Sequence, residues 1–111
     1  LDTGMTELIR PALYGARHAI VALTSLGRPV ERWPADDERP VDVHGPICES
    51  TDALGTHALP ALRRGDVVAI REAGAYGASL SSTYNGRPRA PQVLLRADGT
   101  LVLVRRRGRL P

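Results

Sequence analysis

Hydrophobic and polar positions along this chain follow the short patterns that are typical of β-strands. Val41-Asp42-Val43-His44 alternates apolar and polar side chains, as a half-buried strand does. Residues 19–23 and 67–70 are apolar runs with β-branched members, which favour buried strands. The pattern therefore predicts strands in both halves of the chain.

A hairpin near the C-terminal end gives the clearest local signal. The dipeptide Asp98-Gly99 separates the apolar runs Gln92–Leu95 and Thr100–Val104, and this dipeptide favours the positive φ angles of a two-residue hairpin turn. With this hairpin, we expect at least five strands. No period of 20 to 50 residues repeats along the chain, so a solenoid or propeller is not expected.

Helical signals are confined to the first 16 residues. Thr6 precedes Glu7-Leu8-Ile9-Arg10 as a helix N-cap would, and Pro11 restricts how far such a helix can run. Residues 27–40 are rich in proline and charge without periodicity, which predicts a surface loop or an irregular strand pair. The predicted fold class is mainly β: a small Greek-key-like barrel or sandwich with short helical turns.

Composition narrows the class of protein. The chain has 111 residues and a mass of 11.9 kDa, which suits a single domain over residues 1–111. The net charge is +3, but no aromatic side chains interleave with the arginines, so nucleic-acid binding is not expected.

His18, His44 and His57 lack metal-ligand spacing, so no metal site is predicted. One cysteine, no targeting segment and no apolar run of the roughly 20 residues that span a bilayer predict a cytoplasmic protein without a membrane span.

The candidate chemistry centres on the only cysteine. Cys48 stands beside Glu49 in the segment Gly45–Asp52, which follows the alternating strand 41–44. A lone cysteine in a small domain is more often a buried apolar residue, but a neighbouring carboxylate disfavours the thiolate. Cys48 is therefore expected to stay protonated at neutral pH and to act as a proton donor. All fifteen cationic side chains are arginine, so the chain holds no lysine for a Schiff base.

Three blocks of the sequence resemble the diaminopimelate decarboxylase family. Cys48-Glu49-Ser50-Thr51-Asp52 resembles the family motif Cys-Glu-Ser-x-Asp, and residues 73–85, AGAYGASLSSTYN, resemble its second signature. Residues 2–15 resemble a third block, and Arg87-Pro88-Arg89 follows the second signature. Thr51 stands where the family usually has glycine. The three blocks lie in the family's order and cover most of the chain.

The resemblance implies a pyridoxal 5'-phosphate enzyme built from an alanine-racemase-like barrel and a β domain. This chain would be the C-terminal β domain, and the barrel outside it would supply the Schiff-base lysine and the phosphate-binding glycine loop. The fragment alone would be inactive. The family also implies a homodimer with active sites shared between subunits.

Site roles follow from the resemblance residue by residue. Cys48 would be the acid that reprotonates the substrate after carbon dioxide leaves, and Glu49 would hold the distal ammonium group. Arg10 and Tyr14 would bind the distal carboxylate, the guanidinium in a bidentate fork. Tyr76 would contact both cofactor and substrate. Tyr84, Asn85 and Trp33 are expected to be structural.

Two alternatives remain open at this point. The chain could belong to a related decarboxylase that acts on another substrate, such as carboxynorspermidine or a carrier-bound amino acid. It could also be a stand-alone β domain that binds a partner and has no activity of its own.

Overall fold

The computed structural model describes residues 1–23 and 38–109, which form six strands and two short helices. The mainly β prediction is confirmed. Trp33 and most of the loop predicted over residues 27–40 lie outside the described residues, although the end of that stretch belongs to a strand. In chain order the elements are α1 (Arg10–Tyr14), β1 (Ile20–Leu23), β2 (Arg39–His44), β3 (Ala53–Leu59), β4 (Val67–Ile70), α2 (Gly77–Leu80), β5 (Gln92–Leu95) and β6 (Leu101–Arg105), with a 3₁₀ turn at Tyr84–Gly86 before β5.

The described strands pair as three antiparallel ladders: β1 with β4, β2 with β3, and β5 with β6. In the longest ladder Arg39 lies opposite Leu59, and the register shifts between Val43 and His44. A register shift of this kind increases the local twist and redirects the strand end. The end of β2 is therefore redirected just before the segment that carries Cys48.

The core lies between the first two ladders. Ile20 of β1, Val43 of β2, and Leu54 and Leu59 of β3 are buried against one another, and side chains of β4 pack on this cluster. His57 is also buried, and its Nε2–H donates to the Leu54 carbonyl oxygen at 2.8 Å, which satisfies the polar ring. The two ladders thus share one apolar layer, as the sheets of a small sandwich do.

The hairpin formed by β5 and β6 confirms the prediction, but the predicted turn type is wrong. Only Gly99 of the Asp98-Gly99 pair has a positive φ, 84°, whereas a two-residue type I′ turn needs positive φ at both positions. The Arg96 N–H donates to the Thr100 carbonyl at 2.9 Å, and the Gly99 N–H donates to the Arg96 carbonyl at 2.9 Å. The connection is therefore a three-residue loop that ends in a left-handed glycine.

Asp98 stabilises this turn through its charge. Its carboxylate accepts hydrogen bonds from the Thr100 N–H at 2.9 Å and the Thr100 hydroxyl at 2.7 Å, and these bonds hold the pKa of Asp98 below its usual value of 3.8. A lowered folded-state pKa contributes stability above the unfolded pKa, and this contribution disappears as the pH falls through the folded pKa. We expect amide-exchange protection at Thr100 to weaken in acid below about pH 3.8 in the wild type. Asp98→Asn should show no such pH dependence, and equal acid loss in both proteins would contradict this role.

The first helix differs from its prediction. Thr6 does not cap it: α1 begins after Ile9, without a side-chain cap, and Thr6 lies in the preceding turn with 1% of its surface exposed. Pro11 stands at the start of the helix, where its missing N–H costs nothing, rather than limiting its end. Gly15, with φ 64°, ends the helix by donating to the Pro11 carbonyl at 3.0 Å. The glycine, not the proline, sets the helix length.

The hairpin formed by β5 and β6 carries several exposed apolar side chains within the described part of the chain. Its exposed apolar side chains are Val93, Leu94, Leu95, Leu101, Leu103 and Val104. By strand alternation Val93, Leu95, Leu101 and Leu103 share one face of the hairpin, and an exposed apolar face of this kind is typical of surfaces that contact another domain or protein. Over the described residues, no helix is long and apolar enough to cross a membrane.

Candidate active site

Asp52 holds the loop that carries Cys48 and Glu49. The loop leaves β2 and returns to β3, and it is closed by hydrogen bonds from the Gly45 N–H to the Asp52 carbonyl (2.9 Å) and from the Asp52 N–H to the Glu49 carbonyl (3.0 Å). The Asp52 carboxylate, with 1% of the residue exposed, accepts from the Ile47 N–H at 2.8 Å. Cys48 and Glu49 are exposed at the turn of this loop, and the buried Asp52 carboxylate holds the loop in place.

The same carboxylate ties the loop to the N-terminal segment. Its other oxygen accepts from the Met5 N–H at 2.7 Å, 47 residues away along the chain. Gly4 and Gly45 approach the carboxylate so closely that a Cβ at either position would collide with it. Glycine is needed at both positions for this close approach. Two of the three blocks that resemble the family thus meet at Asp52.

The third block is bonded to the N-terminal segment, which Asp52 joins to the Cys48 loop. The Ser82 N–H donates to the Thr6 carbonyl at 2.9 Å, and the Arg87 guanidinium donates to the Asp2 carbonyl at 2.7 Å. These bonds span 76 and 85 residues of sequence, so they depend on the tertiary fold. They place the segment after α2 on the same support as the Cys48 loop.

Tyr84 contacts the candidate site directly. Its hydroxyl donates a hydrogen bond to Oε1 of Glu49. The pKa of Tyr84 lies above its usual value of 10.0, chiefly because of the hydrogen bond to Glu49 and the negative charge of that carboxylate, with smaller contributions from desolvation and from Cys48. The phenol therefore remains a protonated donor at neutral pH. The only sequence signal for this contact was the position of Tyr84 within the second signature.

Tyr76 adopts a backbone conformation that is uncommon for a bulky residue. Its φ is 61° and ψ is −8°, in the left-handed region, directly before α2. Such a conformation costs about 1 to 3 kcal/mol and is concentrated at functional sites. The Tyr76 carbonyl accepts from the Leu80 N–H at 3.0 Å and the Ser79 hydroxyl at 3.2 Å, which stabilises the turn. The residue is 69% exposed and so is available to a ligand or another domain.

Arg10 and Tyr14 lie at the two ends of α1, which packs against β3. Arg10 is half-buried and Tyr14 is exposed. Among the described residues, no hydrogen bond or ion pair joins either side chain to Cys48 or Glu49. The structure therefore brings Cys48, Glu49 and Tyr84 together, while the grouping of Arg10, Tyr14 and Tyr76 with them stays a prediction.

The side chains of the candidate site can donate a proton and bind a cation. The Glu49 carboxylate and the Tyr84 phenol are in contact on an open surface, next in sequence to the exposed Cys48 thiol, and the chain has no lysine to hold a carbonyl cofactor. Nor do His, Cys, Asp and Glu residues cluster as metal ligands anywhere in residues 1–23 and 38–109. A cleft of about 680 Å³ borders Glu7, Ile70 and Arg105 but does not include Cys48. The site needs a further surface to exclude water.

A family model agrees with the fold. The model described as pyridoxal-dependent decarboxylase, C-terminal sheet domain, matches residues 1–74. This range includes both the N-terminal turn and the Cys48 loop.

Curated relatives match nearly the whole chain. The diaminopimelate decarboxylase of Escherichia coli is 43% identical over 115 residues, which cover 96% of this chain and 26% of that protein. The diaminopimelate decarboxylase of Thermoplasma acidophilum is 46% identical over 106 residues, which cover 96% of this chain and 24% of that protein. The chain spans about a quarter of the length of these relatives.

Solved structures give the same result. A crystal structure of diaminopimelate decarboxylase superposes with a TM-score of 0.86 at 42% identity, covering 97% of this chain and 27% of the other. The diaminopimelate decarboxylase of Helicobacter pylori complexed with L-lysine superposes with a TM-score of 0.82 at 39% identity, covering 97% of this chain and 25% of the other.

Proposed function

We propose a function from the premise that this chain belongs to the pyridoxal-dependent decarboxylases, whose C-terminal sheet domain it matches. In this proposal it is the substrate-reading domain of a diaminopimelate decarboxylase, which converts meso-2,6-diaminopimelate to L-lysine and carbon dioxide. The observation that carries the proposal is the exposed Cys48–Glu49 pair on a loop fixed by buried Asp52. An exposed thiol beside a carboxylate on a rigid support suits proton delivery and cation binding.

The rest of the enzyme would lie in a barrel outside these residues. That barrel would supply the lysine that this chain lacks and hold pyridoxal 5'-phosphate, with Tyr76 of this domain in contact with it. When bound, pyridoxal phosphate supplies an electron sink for the pair left by the broken carbon–carbon bond. The residues of this chain act on the substrate around that centre.

Cys48 would complete the reaction by moving one proton. Its Sγ–H bond breaks and a C–H bond forms at the carbon that has lost carbon dioxide, which leaves a thiolate to be reprotonated by solvent. The thiol is exposed, so it can reach a substrate held by another domain. Closure by that domain would exclude water and leave Cys48 as the donor.

Charges of both signs would select the substrate. Glu49 would bind the distal ammonium group, and Arg10 with Tyr14 would bind the distal carboxylate. An analogue without that carboxylate, such as lysine, would leave Arg10 desolvated and unpaired, which costs binding energy. Selectivity then depends as much on the unpaired charge of Arg10 in a complex with lysine as on the contacts made in the complex with diaminopimelate.

We expect Glu49→Ala, in the enzyme that carries this domain, to raise the KM for diaminopimelate at least about tenfold with a smaller change in kcat, because the carboxylate that would pair with the distal ammonium group of the substrate is lost. Asp98→Asn is the matched control, since it neutralises an exposed carboxylate of the hairpin turn. Initial-rate kinetics on both variants measure the difference. A KM for Glu49→Ala equal to that of the control would contradict the role of Glu49.

The uncovered apolar side chains of the β5–β6 hairpin support the remainder of the proposal. We propose that the barrel domain and a second subunit cover surfaces of this domain, giving a homodimer with shared active sites. The proposed location is the cytoplasm.

The activity assay uses the full-length enzyme with pyridoxal phosphate and a panel of carboxyl-labelled substrates. Release of labelled carbon dioxide from meso-diaminopimelate, with lysine as product, supports the proposal. Release from carboxynorspermidine or a carrier-bound amino acid, and not from diaminopimelate, would assign the chain to a different decarboxylase. No release from any of them would favour a non-catalytic binding domain.

A further inference from the structure

We propose that Tyr84 is a positioning residue: its hydroxyl fixes the direction of the Glu49 carboxylate and so sets the preference for substrates with a distal ammonium group. The inference rests on the proposed function and deepens it. It starts from one contact, the hydrogen bond from the Tyr84 hydroxyl to Oε1 of Glu49. An exposed glutamate side chain otherwise samples several rotamers.

The two oxygens of Glu49 have different partners. Oε1 accepts from the phenol, while Oε2 lies 3.4 Å from the Thr51 hydroxyl, a longer and weaker contact. A carboxylate offers about four lone-pair directions, so both oxygens can still accept from an ammonium group. The stronger contact, from Tyr84, therefore determines which directions remain open for a ligand.

The phenol orients Glu49 without cancelling its charge. A neutral O–H donor adds one hydrogen bond, whereas an arginine or lysine in the same place would form an ion pair and compete with a cationic ligand. Within the described ranges no salt bridge occupies Glu49; its side-chain contacts are hydroxyl groups. A carboxylate that is held in place but still charged is what recognition of an ammonium group requires.

The backbone of Tyr84 is itself fixed to the frame of the site. The Tyr84 N–H donates to the Ser82 hydroxyl at 3.3 Å, and the Gly86 N–H donates to the Thr83 carbonyl at 3.0 Å. The Ser82 N–H is bonded to the Thr6 carbonyl, next to the Met5 N–H that Asp52 binds. The segments that carry Glu49 and Tyr84 are thus both bonded to the N-terminal turn, so the position of the phenol relative to the carboxylate is fixed.

The test is a double-mutant cycle in the full-length enzyme. Tyr84→Phe keeps the ring and removes the hydroxyl; we expect the KM for diaminopimelate to rise about five- to tenfold, because the Glu49 side chain must then be ordered by the substrate itself, with kcat within about twofold. In a Glu49→Gln background the same substitution should change KM by less than about twofold. Thr100→Val, which removes a hydroxyl from the hairpin turn, is the control for hydroxyl loss and should leave KM unchanged.

A second readout does not depend on activity. Difference absorbance titration of the full-length enzyme against its Tyr84→Phe variant isolates the phenolate signal of this one tyrosine. With Glu49 present, that signal should appear above pH 10.0, and Glu49→Gln should lower its midpoint because the charge and its hydrogen bond are lost.

The two readouts separate the possible failures. An enzyme inactive on diaminopimelate whose Tyr84 midpoint still responds to Glu49 would remove the proposed substrate but keep the contact. A KM unchanged by Tyr84→Phe, or changed equally in both backgrounds, would overturn the positioning role. A midpoint that does not respond to Glu49→Gln would overturn the contact itself.

Discussion

Replacing Cys48 with alanine should lower the kcat of the enzyme that carries this domain by about 10²- to 10⁴-fold, the usual contribution of a general acid. The thiol is exposed, and the bonds that shape its loop come from the backbone and from Asp52. The substitution therefore removes the proton donor without disturbing the support. Cofactor binding and the KM for diaminopimelate should change little.

Three measurements isolate the proton transfer. Steady-state kinetics give kcat and KM, the visible absorbance of the enzyme reports bound pyridoxal phosphate, and thermal unfolding reports the fold. Cys48→Ser is the matched variant: it replaces the thiol with a hydroxyl of similar size, but an alcohol is a much weaker acid than a thiol, so its kcat should lie close to that of Cys48→Ala. Wild-type turnover in Cys48→Ala would remove the proton-donor role, and loss of the bound cofactor would show that the residue acts on binding instead.

Three of the six described strands were predicted from the pattern of apolar and polar residues within each segment. The apolar run 19–23, the alternation at 41–44 and the run 67–70 correspond to β1, β2 and β4, because the side-chain period of a strand is visible in a few consecutive residues. The hairpin was predicted for the same reason. Its turn type was not, since three-residue loops also place glycine in the left-handed position and the dipeptide alone does not distinguish the two.

Tertiary contacts explain what the sequence left out. Thr6 has the chemistry of a helix cap, but its carbonyl is bonded to Ser82, and it is buried in the turn before α1. Tyr84 lies 35 residues from Glu49, and no spacing rule connects a phenol to a carboxylate at that distance along the chain. The motif placed Cys48 and Glu49 on one loop because they are neighbours, whereas their surroundings depend on how three distant segments pack.

Asp52→Ala should be the most destabilising substitution in the frame of the site. Removal of the carboxylate leaves the buried Ile47 N–H and the half-buried Met5 N–H without their acceptor, at about 1 to 3 kcal/mol for a buried group and less for the Met5 N–H. We expect the free energy of unfolding to fall by about 2 to 5 kcal/mol, and the activity to fall with it as the Cys48 loop loses its support. Denaturant unfolding followed by circular dichroism measures the first quantity.

Asp66→Ala is the control for this substitution. The Asp66 carboxylate also accepts a backbone N–H, from Arg63 at 2.6 Å, but the residue is exposed, so water can replace the lost acceptor. Its substitution should cost less than about 1 kcal/mol. Equal losses for Asp52→Ala and Asp66→Ala would show that burial of the Asp52 carboxylate does not strengthen the tether.

Glycine substitutions test the same tether from the other side. Gly45→Ala should destabilise the domain because the new Cβ would collide with the Asp52 carboxylate, whereas Gly74→Ala adds a Cβ with no atom within 4 Å. In an Asp52→Ala background the three nearest atoms, all of the carboxyl group, are absent, so Gly45→Ala should then cost much less than it does alone. That non-additivity is the signature of two residues that act through one contact. Additive losses would mean that Gly45 and Asp52 support the loop independently. The carboxylate would then not explain why position 45, at the start of the loop, is a glycine.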